Sequence, residues 1–156
     1  MFSKVNRLTV AIMATVFVLS LLVMPVLAQD QIIVGLSFSD FETPRWSQEN
    51  DIMTAALEEM GYKVISQQAS HDPKVQNDQI ANMVTQGAKA IIIVAQDAAA
   101  AATAVDDAAK EGVVVIAYDR LIATPNISAY ITFGLEKVGN GQADGVLKAL
   151  GFDRAN

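Results

Sequence analysis

The chain is 156 residues long, contains no cysteine, and sets eleven basic side chains against seventeen acidic ones, a formal net charge of −6. The missing cysteine excludes disulfides, thiolate metal sites and a lipid-modified N-terminal cysteine, and the acidic balance offers nucleic acid nothing to bind. The length suffices for one domain with a real core.

Lys4 and Arg7 precede an apolar stretch from Leu8 to Met24, and Pro25 and Val26-Leu27-Ala28 close it. A basic start, an apolar run and small residues before a cut are the pattern of a secretory signal peptide, so residues 1–28 are expected to be a leader cleaved after Ala28. The alternative is a retained membrane anchor, because the run approaches the length that crosses a bilayer. Either way the protein is expected to be exported, to the periplasm or another extracytoplasmic space. Without the two leader bases, nine basic residues face seventeen acidic ones, a net charge of −8.

Beyond the leader, strand-like apolar runs alternate with segments of helical period, which predicts stacked βα units around a parallel sheet. Ile32 to Phe38 is the first strand. A polar turn from Asp40 to Pro44 leads into a helix over Trp46 to Met60, with apolar residues at Ile52, Met53, Ala56, Leu57 and Met60 and a stop at Gly61. Val64 and Ile65 mark a short second strand. Asp72-Pro73 is an N-cap followed by proline at the first helical position, opening a helix marked by Val75, Ile80, Met83 and Val84 and closed by Gly87.

Ala90 to Ala95 is continuously apolar and therefore a central third strand. Asp97 caps an alanine-rich helix that runs to Lys110 and stops at Gly112; the alanines let it lie close to the sheet. Val113 to Ala117 is the fourth strand, a β-branched run that reads as buried on both faces. A loop over Leu121 to Ser128 leads to a fifth strand at Tyr130 to Phe133. The last helix, Glu136 to about Leu150, carries Ala143, Val146, Leu147 and Leu150 on one side, with no further strand for that face to serve. The expected fold is a flavodoxin-like α/β/α lobe with strand order 2-1-3-4-5.

In such sheets ligands sit beyond the carboxyl ends of the strands, at the point where the strand order reverses. Two constellations fall on that edge. Tyr118-Asp119-Arg120 follows the fourth strand, and Arg45-Trp46 follows the first. A sugar offers apolar C–H faces to an aromatic plane, hydroxyl donors to a carboxylate and acceptors to a guanidinium, so Arg45, Trp46, Asp119 and Arg120 together match a polyol. Taken singly they are weak signals: Trp46 could pack on the sheet, and Asp119-Arg120 could be a surface ion pair. Asp40 and Gln96 stand just past strands 1 and 3 as possible further contacts, whereas Asp97 suits a helix cap. His71 is expected at the surface. No histidine or carboxylate cluster suggests a metal. No nucleophile elbow, P-loop or H-E-x-x-H occurs, and Gly139, Gly141 and Gly145 follow no phosphate-binding turn, so neither an enzyme nor a cofactor is expected. Asn126-Ile127-Ser128 fits a glycosylation sequon, a triplet frequent by chance.

The combination of Ile33-Val34-Gly35-Leu36-Ser37 and Arg45-Trp46 with Gln79-Ile80-Ala81-Asn82-Met83, Glu111-Gly112, Ala117-Tyr118-Asp119-Arg120 and Glu136-Lys137-Val138-Gly139 is more specific. Over residues 31–150 the chain resembles the N-terminal lobe of the type I periplasmic sugar-binding proteins of ABC transporters, most closely the xylose-binding ones. The resemblance implies a monosaccharide held between two similar lobes by Arg45, Trp46, Asp119 and Arg120 on this side, an ABC permease as partner, and a monomer that meets the membrane only through the transporter or an uncleaved leader. It divides the chain into residues 29–133, the sugar-binding lobe, and 134–156, a hinge exit with the first helix of a second lobe. Where relatives carry a polar Asp-Asn pair after the hinge strand, this chain has Gly134-Leu135; a full member of the family is about twice this length and nearly all of its second lobe is absent here, so a fragment with weakened sugar affinity is expected. The competing expectations are the effector lobe of a LacI-type regulator, opposed by the leader and the missing DNA-reading helices, and a membrane-anchored remnant without ligand.

Overall fold

A computed structural model describes residues 31–152; the expected leader and the last four residues lie outside them. Five strands, β1 (Ile33–Phe38), β2 (Lys63–Gln68), β3 (Ala88–Ile93), β4 (Val114–Tyr118) and β5 (Ala129–Ile131), alternate with four helices, α1 (Pro44–Glu59), α2 (Pro73–Thr85), α3 (Ala101–Lys110) and α4 (Leu135–Ala149). Every strand pair is parallel and the sheet order is β2-β1-β3-β4-β5, as the alternation predicts. Between β1 and β3 the register shifts at Ile33 and Val34.

Local chemistry sets the punctuation. The Asp72 side chain accepts hydrogen bonds from the backbone N–H groups of Lys74 and Val75 at the head of α2, with Pro73 behind it. Asp97 does the same for Ala99 and Ala100, so the turn begins where expected although regular α3 starts only at Ala101. Gly61 ends α1 with φ 87°, a conformation that an L side chain resists. β2 is longer than the Val64-Ile65 signal because an edge strand needs ladder bonds rather than apolar side chains, and Ser66 to Gln68 supply those.

The two faces of the sheet are not equally covered. On one side α2 and α3 bury Ile80, Met83, Ile91, Ile93, Ala101, Val105, Ala108, Val115, Ala117 and Ile122 in one cluster. Packing here is close: a Cβ on Gly35 would stand 2.6 Å from the Met83 sulfur. The alanines of α3 serve that approach, as expected. On the other side only Leu36, Phe38, Trp46 and Val94 form a buried cluster under α1. Val114 is 45% exposed, so β4 is buried on one face, not both; none of the described helices covers that face. Ile52 of α1 and Met60 just past its end likewise face out, and Met53, Ala56, Leu57, Ile92, Ile116, Tyr118 and Ile131 line an apolar groove of about 260 Å³. In α4 no residue is buried, and none of the described helices is long and apolar enough to cross a membrane.

Candidate functional site

The carboxyl edge of the sheet is built first by Asp40. Its Oδ1 accepts the Thr43 N–H at 2.7 Å and its Oδ2 accepts the Ser39 hydroxyl at 2.8 Å, which bends the chain into Pro44 and the first turn of α1. Burial opposes the charge on Asp40, but these bonds and nearby His71 outweigh it and hold the carboxyl below its ordinary range. Asp40 is 1% exposed, and its place is inside the turn, presenting α1 rather than reaching past it. His71 is exposed as expected, 3.7 Å from Asp40 and 3.6 Å from Glu42.

The turn places Arg45 and Trp46 side by side. Trp46 is 4% exposed and packs on Phe38, whose ring lies 6.4 Å away. The Arg45 guanidinium lies over the indole at 4.4 Å, donates from Nε to Glu49 at 2.8 Å and donates from Nη1 to Asp119 at 3.0 Å. Burial works against the arginine's charge, but Glu49, Asp119 and Tyr118 more than offset it and raise its pKa. The hydroxyl of Tyr118 beside them is pushed up, first by burial.

Asp119 stands just after β4 with φ 63°, in the left-handed region. Three bonds hold it there: its N–H donates to the Ile131 carbonyl at 2.8 Å, and its own carbonyl accepts the Tyr130 hydroxyl at 3.1 Å and the Thr132 hydroxyl at 3.3 Å. The strain turns successive side chains apart. Asp119 goes to Arg45, while Arg120 donates from Nη1 to the Ala95 carbonyl at 3.0 Å and comes 5.7 Å from the Trp46 ring. Asp119 and Arg120 are therefore not each other's ion pair; each bridges to a different strand end.

Gln96 joins the edge through the backbone, its N–H donating to the buried Gln76 Oε1 at 2.7 Å. Gln76 in turn donates from Nε2 to the Ser37 hydroxyl at 3.1 Å and to the Val94 carbonyl at 3.0 Å, tying α2 to the ends of β1 and β3. Four polar atoms at this edge are buried without a hydrogen-bond partner: Arg45 Nη2, Trp46 Nε1, Glu49 Oε2 and Gln96 Oε1. Burying such groups unpaired costs ~1–3 kcal/mol each.

Comparison with known proteins bears on the fold and family. Residues 34–153 match the periplasmic binding protein domain family. The chain belongs to that family. It is 36% identical over 114 residues to the D-xylose-binding periplasmic protein of Haemophilus influenzae, covering 73% of this chain and 34% of that one. The D-xylose-binding periplasmic protein of Escherichia coli is 36% identical over 110 residues, 70% of this chain and 33% of the relative. Among solved structures, an ABC transporter solute-binding protein from Clostridium phytofermentans with bound β-D-glucose superimposes with a TM-score of 0.74 at 35% identity, over 76% of this chain and 37% of that one. The chain thus spans about a third of the length of the relatives it matches.

Within this periplasmic-binding-protein lobe, the sequence-derived residues Arg45, Trp46, Asp119 and Arg120 converge on one edge and Gln96 lies beside them. Glu49, Gln76 and Phe133 were not legible as site residues. Glu49 had a signal, four residues after Arg45 on one helix, and so had Gln76, the polar member of the Gln76, Ile80, Met83 stripe of α2. Among the described residues no cluster of histidine and carboxylates is arranged to hold a metal.

Proposed function

We propose that the chain is the extracytoplasmic substrate-binding component of an ABC sugar importer, taking a monosaccharide of the aldopentose type, with xylose favoured. The observation that carries this is the edge where the part-exposed side chains of Arg45, Asp119 and Arg120 converge over Trp46. Two xylose-binding relatives above 30% identity favour the pentose. In this reading Arg45 and Arg120 donate to ring and hydroxyl oxygens, Asp119 accepts hydroxyl protons with the oxygen not engaged by Arg45, and Trp46 backs the Arg45 guanidinium, with Gln96 beside them. Asp40 supports the turn. The role is binding rather than catalysis, with the permease as partner, and residues 134–152 form the exit toward a second lobe.

The described lobe walls a ligand on one side only: the Arg45 side chain remains 37% exposed and Asp119 20%. A pocket encloses most of its ligand, and each missing hydrogen bond removes ~0.5–1.5 kcal/mol, where ~1.4 kcal/mol is a tenfold change in affinity. Weak, millimolar binding of D-xylose is therefore expected for the described lobe by itself. The chain has a single tryptophan, so its one indole N–H resonance reports the site. Titration with D-xylose, D-ribose and D-glucose, by that resonance and by calorimetry, is expected to move the signal with xylose, and Asp119→Ala is expected to abolish the movement. No response to any sugar would overturn the assignment, and micromolar affinity would overturn the one-sided site.

A further inference from the structure

Phe133 is 48% exposed, two residues past the end of β5, yet its ring is not idle: the Arg45 guanidinium carbon lies 4.4 Å from its centroid, the same distance as from Trp46. The backbone beneath it is held. Thr132 bonds the Asp119 carbonyl, and the Leu135 N–H donates to the Phe133 carbonyl at 2.8 Å. Arg45 itself has its Nε on Glu49 and its Nη1 on Asp119, which leaves the buried Nη2 edge without a partner. A guanidinium engaged at two edges and stacked on two rings has lost nearly all of its rotational freedom.

We propose that Phe133 is a positioning residue: with Glu49 and Trp46 it holds the Arg45 guanidinium in one plane, so that Nη1 stays on Asp119 at the edge where the ligand is proposed to sit. Because Phe133 sits on the segment that leaves the lobe, the orientation of the arginine is tied to the path of the chain after β5. This deepens the sugar reading of the site. An exposed phenylalanine at this place contributes little to the core, so substituting it tests orientation rather than folding.

The test uses chain labelled with ¹⁵N-arginine. Phe133→Leu keeps the apolar volume and removes the ring; it is expected to speed hydrogen exchange of the Arg45 Nε–H about threefold or more, the size of a lost cation–π contact, and to raise acrylamide quenching of Trp46. Phe133→Tyr keeps the ring and is expected to restore both readings, with the melting temperature unchanged in each variant. Wild-type exchange and quenching in Phe133→Leu, or no restoration by Phe133→Tyr, would overturn the proposal. D-xylose titration of the same variants is expected to show several-fold weaker binding for Phe133→Leu alone. If the unmodified chain binds no sugar, the sugar reading fails while the Arg45 exchange rate still decides the role of Phe133.

Discussion

The two faces of the sheet do different work. The α2/α3 face holds thirteen buried residues in a single cluster, while the α1 face holds four, an open apolar groove and the binding edge. On the first face side chains meet small residues, Gly35 against Met83 and the alanines of α3, and the layers close to contact. On the second, only Trp46 of α1 is buried; Met53 and Leu57 pack part-buried against the sheet, and Ile52 stands out in solvent. Stability therefore resides mainly on one face, and the groups proposed to bind ligand gather where the other face meets the strand ends.

Neighbours on β3 give the strongest test of that contrast, since Ile91 and Ile92 point to opposite faces and differ in burial. Ile91→Ala is expected to cost ~2–5 kcal/mol in urea unfolding. Ile92→Ala should cost about half of that or less, because its surroundings are already partly open to water. Equal losses would break the contrast.

An effect of similar size is expected at Gln76, where the covered face is pinned to the proposed binding edge. Gln76→Leu leaves the Gln96 N–H, the Ser37 hydroxyl and the Val94 carbonyl short of a partner, at ~1–3 kcal/mol for each buried group that water cannot reach. The indole resonance of Trp46 should shift as well if the pin positions the edge, and a stability loss with an unmoved indole would confine Gln76 to the core.

The smallest effect is expected from acid. Asp40 is held below its ordinary value of 3.8 in the folded chain, so its contribution is complete above about pH 4 and is lost as the pH falls through the folded value. Protonation weakens the acceptor that holds Thr43 and hence the first turn of α1. Unfolding followed from pH 5 downward should show stability falling below about pH 4, and Asp40→Asn should flatten that slope. An unchanged slope would remove Asp40 from the turn's electrostatics.

Much of the fold was legible in the chain. Apolar runs of β length alternating with helical periods, bounded by Asp72-Pro73, Asp97, Gly61, Gly87 and Gly112, lead to the parallel sheet and its order. Cover was not legible: the β-branched run of β4 is the same string whether one face or two is buried, and the structure buries Val115 and Ala117 while Val114 stays exposed. The site was legible as residue types on one edge, but not as partners.

The sequence by itself determined the elements, their order and the placing of Arg45-Trp46 and Asp119-Arg120 at strand ends, because periodicity, capping and turn chemistry are local. Only the tertiary structure decided that Asp119 pairs with Arg45 and not with its neighbour Arg120, and that Asp40 turns inward. It also brought Phe133 over the arginine. Those outcomes depend on a left-handed residue after β4 and on contacts between segments as far as 88 residues apart along the chain, which no local pattern encodes.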